Sequence, residues 1–310
     1  MVWALNLRGG LGKWKGFSNA ICLERIRINN SKDSKTARPI MERKSPQFDY
    51  CDPSRWRDEF PTCGGLSQSP INLDNFNSQA GSLGPLIFKN YAKPFAHPLR
   101  LENNGRTASI RIPETSRGPY PTVTGGLLRD VYEAQSVHFH WGSPTGDKGS
   151  EHAINGRRYD VELHIVHKNM KYGNTEEARR YPDGVAVLAI MLEIVDNPKQ
   201  YYPGLNKVFN KLPRIVEAGT NATINQQLTL SHFLGDVDTK NFYAYKGSLT
   251  TPPCAEAVTW HVFPKPLLIS RDMISKFFQL RQNNGTPIIN NFRPLQPLNG
   301  RAVYRRKGGR

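Results

Sequence analysis

Three histidines have the spacing of a metal site. His138 and His140 lie two residues apart in a run of β-branched and aromatic residues, and His164 follows 24 residues later in a second such run. Side chains two residues apart on a strand project from the same face, so two adjacent strands would bring the three imidazoles together. Three nitrogen ligands with a fourth position open are typical of a catalytic zinc site, whereas structural zinc sites have four protein ligands. The alternative is that each histidine is an ordinary packed or surface residue.

Several polar residues near these histidines have both a chemical and a plain structural interpretation. Glu162 shares a strand face with His164 and is placed to accept a hydrogen bond from the second nitrogen of a ligating imidazole, although it can equally be an exposed strand carboxylate. Glu151 and His152 follow a loop of Gly, Ser and Lys and either serve the site or cap a turn. Thr250 precedes a diproline and either orients a zinc-bound hydroxide or belongs to a turn.

The elements that would position these residues are mostly short strands. The chain has 310 residues, a hydrophobic fraction of 38%, 26 glycines and 23 prolines, which favours many strands joined by turns over a helical bundle. No apolar run approaches the roughly 20 residues of a membrane-spanning helix. The predicted strands are 86–88, 99–102, 108–112, 134–141, 159–167, 185–195 and 257–262. The predicted helices are 202–211 and 270–280, the second capped by Ser270.

The net charge of +16 is concentrated at the two ends of the chain. Residues 1–45 hold ten Lys and Arg against three Asp and Glu, and residues 301–310 add five basic residues. No nucleic-acid-binding motif accompanies them, so we expect no specific nucleic-acid partner, only weak attraction to anionic surfaces. We therefore divide the chain into a basic leader (1–45, disordered or processed), one β-dominated domain (46–304) and a basic tail (305–310).

The cysteines argue against a thiolate metal site because no two of them form a CxxC pair. Cys63 and Cys254 lie in turn-rich contexts and can be bridged, which would imply an oxidising compartment. The four cysteines are Cys22, Cys51, Cys63 and Cys254. Sequons compatible with a glycoprotein in such a compartment begin at Asn29, Asn221 and Asn284.

Residues from about 46 to 304 closely resemble the alpha-class carbonic anhydrases. The matching motifs are Gln68-Ser-Pro-Ile-Asn72, Asn103-Asn-Gly105, His138-Phe-His-Trp-Gly142, Glu151-His152, Glu162-Leu-His164, Gly247-Ser-Leu-Thr-Thr-Pro-Pro253, Trp260 and Asn291-Phe-Arg-Pro294. Their number and common order make a chance match negligible. The resemblance implies a mainly β, single-domain fold around a large, mostly antiparallel, twisted central sheet with a few short peripheral helices.

The resemblance also implies an activity: zinc-dependent, reversible hydration of carbon dioxide to bicarbonate and a proton, by attack of zinc-bound hydroxide. His138, His140 and His164 would bind Zn²⁺, while Thr250 would orient the hydroxide and donate to Glu151. The residues that would support the ligands are Glu162, Ser136 and Asn291. The residues that would form the carbon dioxide pocket are Val166, Val187, Leu249, Thr251, Val258 and Trp260.

Two positions depart from the family pattern. Arg106 occupies the position of the proton-shuttle histidine, and because arginine stays protonated it cannot cycle a proton, so we expect proton export to limit turnover. Ser136 replaces a glutamine that partners the first zinc histidine, so we expect a modest loss of metal affinity at most. The resemblance further pairs Cys63 with Cys254, as in secreted and membrane-anchored members. We therefore expect a secreted protein, with a mitochondrial or cytoplasmic location as the alternative because the N-terminus is atypical.

Two other functions are considered. A non-enzymatic binding module of the same fold, like the family's acatalytic relatives, would have lost zinc histidines, whereas this chain keeps all three. A cupin-type site needs a glutamate four or five residues after the second histidine, where this chain has Pro144 and Thr145. The cupin interpretation is excluded.

Overall fold

The strands that carry the histidines are covered on both faces, as their near-continuous apolar sequences predict. Eight of the nine residues of Val161–Asn169 are buried, and so are the first eight residues of Val185–Ile194. The computed structural model describes residues 48–81, 83–225 and 227–308. The predicted leader, with Cys22 and Asn29, lies outside these residues, and those from Phe48 onward form one unit.

The described strands and helices are short apart from four long strands. The strands are β1 (Asn72–Leu73), β2 (Ser78–Ala80), β3 (Leu86–Lys89), β4 (Leu99–Asn103), β5 (Ala108–Arg111), β6 (Thr122–Gly125), β7 (Leu128–Trp141), β8 (Ala153–Ile154), β9 (Val161–Asn169), β10 (Val185–Ile194), β11 (Asn221–Ile224), β12 (Phe242–Gly247), β13 (Val258–Ile269) and β14 (Val303–Arg306). The α-helices are α1 (Trp56–Glu59), α2 (Thr175–Ala178), α3 (Pro203–Lys211), α4 (Ser231–Leu234) and α5 (Arg271–Ser275). Single 3₁₀ turns span Pro53–Arg55, Pro61–Gly64, Leu212–Arg214 and Phe277–Gln279.

One large sheet organises the described residues. Its strand order is β11-β4-β5-β7-β9-β10-β13-β12-β14-β2, and β6 joins β3 to β7. The pairs β10–β13 and β14–β2 are parallel, and the other pairs are antiparallel. A separate parallel pair, β1–β8, lies outside this sheet. The expectation of a mainly β fold around a large central sheet with few short helices is confirmed.

Alternation along the strands separates the core into two parts. On β10, Val187 and Ala189 pack in a cluster with Trp260, while Ala186 and Leu188 belong to the larger cluster on the opposite face. Successive side chains on a strand point to opposite faces of the sheet, which explains this division. The smaller cluster lies beside the predicted histidine site. The larger one, which includes the buried residues of α3, packs on the other face of the sheet.

All seven predicted strands are present, with shifted ends. The predicted strand 134–141 begins earlier, at Leu128, because a register irregularity between Ala134 and Ser136 lets pairing continue. The predicted helix 270–280 is instead α5 followed by a 3₁₀ turn, and Ser270 at its N-cap position makes no side-chain capping bond. Arg305, which the sequence pattern assigns to the basic tail, instead belongs to β14 and pairs with Tyr243 of β12.

Strands β1, β2, β6, β8, β11, β12 and β14 are not among the predicted strands. They have two to six residues each, so they offer too few positions for a periodic signal. Within the described ranges, no helix has the length and apolar character needed to cross a membrane.

Candidate metal centre

The three predicted histidines lie at one point on the sheet. His138 of β7 is directly opposite His164 of β9, and His140 follows His138 on the same face. Nε2 of His138 and Nδ1 of His164 are 3.2 Å apart, and one nitrogen from each of the three rings lies within 4.8 Å of the others. Strand register alone therefore produces a three-nitrogen cluster able to hold a metal ion.

Hydrogen bonds fix two of the three rings with a lone pair facing the cluster. Nδ1 of His140 contacts the backbone carbonyl of Asn291 at 2.8 Å, and since a carbonyl only accepts, that nitrogen carries the proton. Nε2 of His164 donates to Oε1 of Glu162 at 2.7 Å. The remaining nitrogens, Nε2 of His140 and Nδ1 of His164, are left as acceptors. This is the ligand state that a bound cation requires.

A separate observation also indicates that the three histidines can hold a metal ion. Nε2 of His140 is buried and has no hydrogen-bond partner in the structure, and such atoms usually mark an ion or water site. Burial, followed by the neighbouring His164 and His140, holds the pKa of His138 well below its usual range, so that the ring is neutral. Three neutral imidazoles are a donor set that suits zinc.

Glu162 links the cluster to a buried network. Its Oε1 also accepts from Nδ1 of His152 at 2.7 Å, and its Oε2 accepts from the backbone N–H of His152 at 2.8 Å. His152 continues through a 2.7 Å contact to the hydroxyl of Tyr245, which donates to Ser69 at 2.9 Å. Burial alone would raise the pKa of Glu162, but the charge of His152 and the hydrogen bonds from His152 and His164 hold it well below its usual range. The sequence allows His152 either to serve the site or to cap a turn, and in the structure it belongs to this network.

Glu151 is fully buried beside His140. Its Oε1 accepts from the backbone N–H of Arg293 at 3.0 Å, and its Oε2 lies 3.5 Å from Nε2 of His140 with no hydrogen-bond partner. The hydrogen bond expected from Thr250 is therefore not among the contacts of that oxygen in this structure. Thr250 itself is buried and lines the cavity above the histidines.

Arg293 is a supporting residue that the strand and helix patterns do not reveal. Its guanidinium donates to Oε1 of Gln68 at 2.8 Å, the carbonyl of Ser69 at 3.0 Å and the carbonyl of Cys63 at 2.8 Å. It thus joins the segment that supports Glu151 to the N-terminal part of the domain. Only its place in the Asn291-Phe-Arg-Pro294 motif gave a signal.

Ser136 makes no hydrogen bond to His138 among the described residues. It pairs with Arg111 of β5 and Val166 of β9 in the ladder, and it lines the cavity. Asn291 supports the site twice, through its carbonyl to His140 and through Oδ1, which accepts from the backbone N–H of Trp141 at 2.7 Å.

The histidines open onto a cavity of about 1280 Å³. Of the predicted pocket residues, Val258 is buried behind the cavity wall and does not line it. Arg106 is exposed at the cavity, with its guanidinium carbon 4.2 Å from the centre of the Phe48 ring. The predicted pocket residues that do line the cavity are Val166, Val187, Leu249, Thr251 and Trp260.

Cys63 and Cys254 form a disulfide with sulfur atoms 2.02 Å apart, which confirms the pairing. None of the described cysteines is a free thiol. Of the sequon asparagines within the described ranges, Asn221 opens β11 and Asn284 lies in a turn, and both are exposed.

Comparisons with known proteins agree with these features. The family model described as eukaryotic-type carbonic anhydrase matches residues 51–307. The chain is 35% identical over 261 residues to carbonic anhydrase 15 of Mus musculus, covering 82% of this chain and 79% of that protein. It is 37% identical over 255 residues to carbonic anhydrase 6 of Bos taurus (81% and 76%), and 33% identical over 274 residues to carbonic anhydrase 12 of Homo sapiens (86% and 74%).

Proposed function

The chain belongs to the eukaryotic-type carbonic anhydrase family and is a carbonic anhydrase, and from this premise we propose that His138, His140 and His164 hold the zinc ion on which its reversible hydration of carbon dioxide depends. The observation that carries the proposal is the convergence of three histidine nitrogens, one of them buried without a partner, below a large cavity. When bound, zinc supplies a Lewis acid that lowers the pKa of its water to about 7, as is established for carbonic anhydrases in general.

The protein's own part is to hold the three rings and to keep them neutral. Asn291 fixes the tautomer of His140 and Glu162 fixes that of His164, so both rings stay aimed at the ion. The low pKa of Glu162 keeps it an acceptor near neutral pH.

The uncharged substrate needs an apolar surface next to the histidines. Val187 of β10 lies between Val166 of β9 and Trp260 of β13 in one cross-strand row, and Val166 is two residues from His164 on the same face. We assign carbon dioxide to this row; Leu249 and Thr251 also line the cavity. Dispersion contacts, with no polar group to desolvate, suit a small apolar molecule.

We assign Thr250 the role of orienting the attacking water, with Glu151 as the acceptor of its hydroxyl proton. The unpartnered Oε2 of Glu151 is available for that hydrogen bond. When Thr250 donates its proton to Glu151, its oxygen can only accept a hydrogen bond from the water. The water's lone pair would then be directed at the substrate, which is an orientation effect.

The test is stopped-flow hydration of carbon dioxide by zinc-replete protein, beside a His140→Ala variant and a His97→Ala control. His97 is an exposed histidine that lines the same cavity but is not in the cluster. We expect one zinc per chain and activity in the wild type and the control, and loss of both in His140→Ala. One bound zinc without activity would overturn the proposal and favour the non-enzymatic binding module.

Proton export is proposed to be slow because Arg106 occupies the mouth of the cavity. A guanidinium remains protonated at neutral pH, and this one is held against Phe48. Turnover should therefore rise with buffer concentration. High turnover that does not depend on buffer would contradict this assignment.

We further propose that the protein works in an oxidising, extracellular compartment. The support is the Cys63–Cys254 disulfide, since such bonds persist outside reducing compartments. Counting free thiols in protein isolated from its source under alkylating conditions tests it. Reactive thiols at both positions would favour the mitochondrial or cytoplasmic alternative.

A further inference from the structure

Two arginines lie at the wall of the cavity on neighbouring strands. Strands β4 and β5 pair Glu102 with Ser109 and Leu101 with Ile110, and Arg100 and Arg111 come next to that last pair on the two strands. Both side chains are exposed and line the cavity, so they lie on the side of the sheet that carries the candidate metal centre.

No described residue neutralises this pair. Like charges close together on neighbouring antiparallel strands repel each other, yet neither guanidinium forms an ion pair within the described ranges. The acidic residues that line the cavity, Glu102 and Glu114, form no ion pair with them either. Arg106 adds a third positive charge at the mouth, and the cavity wall therefore favours an anion.

The strand positions of the pair lie close to those of the histidines. Arg111 is opposite Ser136 on β7, and Ser136 precedes His138 by two residues, which corresponds to about 7 Å along a strand. Because both arginines line the same cavity as the histidines, an anion held by the pair would be a neighbour of the metal centre and could exchange a proton with it through water.

We propose that Arg100 and Arg111 form a docking site for a small dianionic oxyanion, such as hydrogen phosphate, that carries away the proton released by hydration. This inference rests on the proposed function, in which each carbon dioxide and water yield one bicarbonate and one proton. The dianion takes up that proton to become the monoanion, and no other bond is made or broken. The monoanion, having lost one charge, is held less tightly and leaves the cavity.

The geometry favours an oxyanion over a neutral carrier for two reasons. Guanidinium groups bind phosphate and carboxylate oxygens in a bidentate manner, and two of them near each other can donate to different oxygens of one oxyanion. Because the arginines that line the cavity outnumber Glu102 and Glu114, it should also attract anions; clefts lined by one sign of charge raise the local concentration and association rate of the opposite charge by a factor of 10 to about 1000. A neutral base that becomes a cation gains neither advantage.

The kinetic experiment compares inorganic phosphate with imidazole, two carriers that titrate near neutral pH but differ in charge. At low ionic strength and saturating carbon dioxide, we expect phosphate to raise turnover at least about tenfold more steeply per unit concentration than imidazole. In the Arg100→Gln/Arg111→Gln double variant, the phosphate effect should fall to the imidazole level while the imidazole effect stays the same.

The matched control is Arg129→Gln. Arg129 is an exposed strand arginine in β7 that does not line the cavity, and its loss should leave the preference for phosphate intact. Equal effects of phosphate and imidazole in the wild type, or an undiminished phosphate effect in the double variant, would overturn the proposal. Turnover independent of any buffer would overturn it as well and would direct attention to His97 as an internal carrier.

A binding measurement separates this inference from the proposed function. Phosphorus NMR of inorganic phosphate with metal-free protein should show line broadening that the double variant loses and Arg129→Gln keeps. Broadening in a protein that lacks hydration activity would refute the proposed function while leaving the anion site standing. Absence of broadening in an active enzyme would refute the anion site alone.

Discussion

An imidazole binds a metal through one nitrogen, and the contact made by its other nitrogen fixes the ring in place. In this site the ring of His140 is fixed by Asn291 and that of His164 by Glu162. Among the described residues His138 has no such acceptor, because Ser136 is too short to provide one. The three candidate ligands are therefore unequally held, and this inequality is a property of single side chains.

A Ser136→Gln substitution should tighten zinc binding. The longer amide can reach the free nitrogen of His138 and orient the ring, and partners of this kind contribute about 10-fold to metal affinity. Competition with a chromophoric chelator measures the change. Ser136→Ala, which adds no acceptor, should leave the affinity unchanged, and an unaltered affinity in Ser136→Gln would show that His138 is already well ordered.

An Arg106→His substitution should raise turnover at low buffer concentration. Histidine can accept and release a proton near neutral pH, whereas arginine cannot. The stacking on Phe48 that would be lost contributes about 0.5–1 kcal/mol at an exposed site, so folding should be preserved. Stopped-flow turnover across buffer concentrations checks this, with Arg106→Gln as the control that loses the stack and gains no titratable group. Equal buffer dependence in both variants would contradict it.

At the scale of elements, the sequence predicts the features that follow from a periodic pattern of apolar residues. The shared face of His138 and His140 follows from their spacing, and the buried strands β9 and β10 follow from their apolar runs. The contacts of Arg293 and Asn291 do not follow from any period, since they join residues more than 140 positions apart through irregular segments. The motifs marked those segments, but only the fold shows which atoms they contact.

Removing the Cys63–Cys254 disulfide should lower the free energy of unfolding by about 2–5 kcal/mol. The bond closes a segment of 191 residues, and long closed segments restrict the unfolded chain most. Denaturant unfolding of a Cys63→Ser/Cys254→Ser variant measures the loss. Reducing agent should destabilise the wild type by more than it destabilises the variant, and equal stability of the two proteins without reducing agent would refute the prediction.

At the scale of the whole molecule, two buried histidines outside the metal centre set the response to acid. Burial lowers the pKa of His167 to about 4, and burial, followed by His167 and Lys246, lowers the pKa of His261 to about 3. Nδ1 of each ring has no hydrogen-bond partner in the structure. Each ring is thus neutral in the folded protein at a pH where it would be charged in the unfolded chain.

Stability should therefore fall as the pH drops from about 6.5 toward 3–4. In that window the unfolded chain binds more protons than the folded protein, and each group costs up to about 1.4 kcal/mol per pH unit. His261→Gln keeps an acceptor for the backbone N–H of Leu127, which contacts Nε2 of His261 at 3.1 Å, but does not titrate. Denaturation at several pH values should show a shallower acid loss for His261→Gln than for the wild type or for His97→Gln. An identical slope in all three proteins would contradict this account.

The support that Asn291 and Arg293 give to His140 and Glu151 also has a consequence in time. A chain is made from its N-terminus at about 5–20 residues per second, so all three candidate ligands leave the ribosome well before the residues that hold two of the site's side chains in place. During that interval the histidines are present but the ring of His140 has no acceptor to fix it. A chain that stops short of Asn291 would keep every candidate ligand and lack the hydrogen bond that orients one of them.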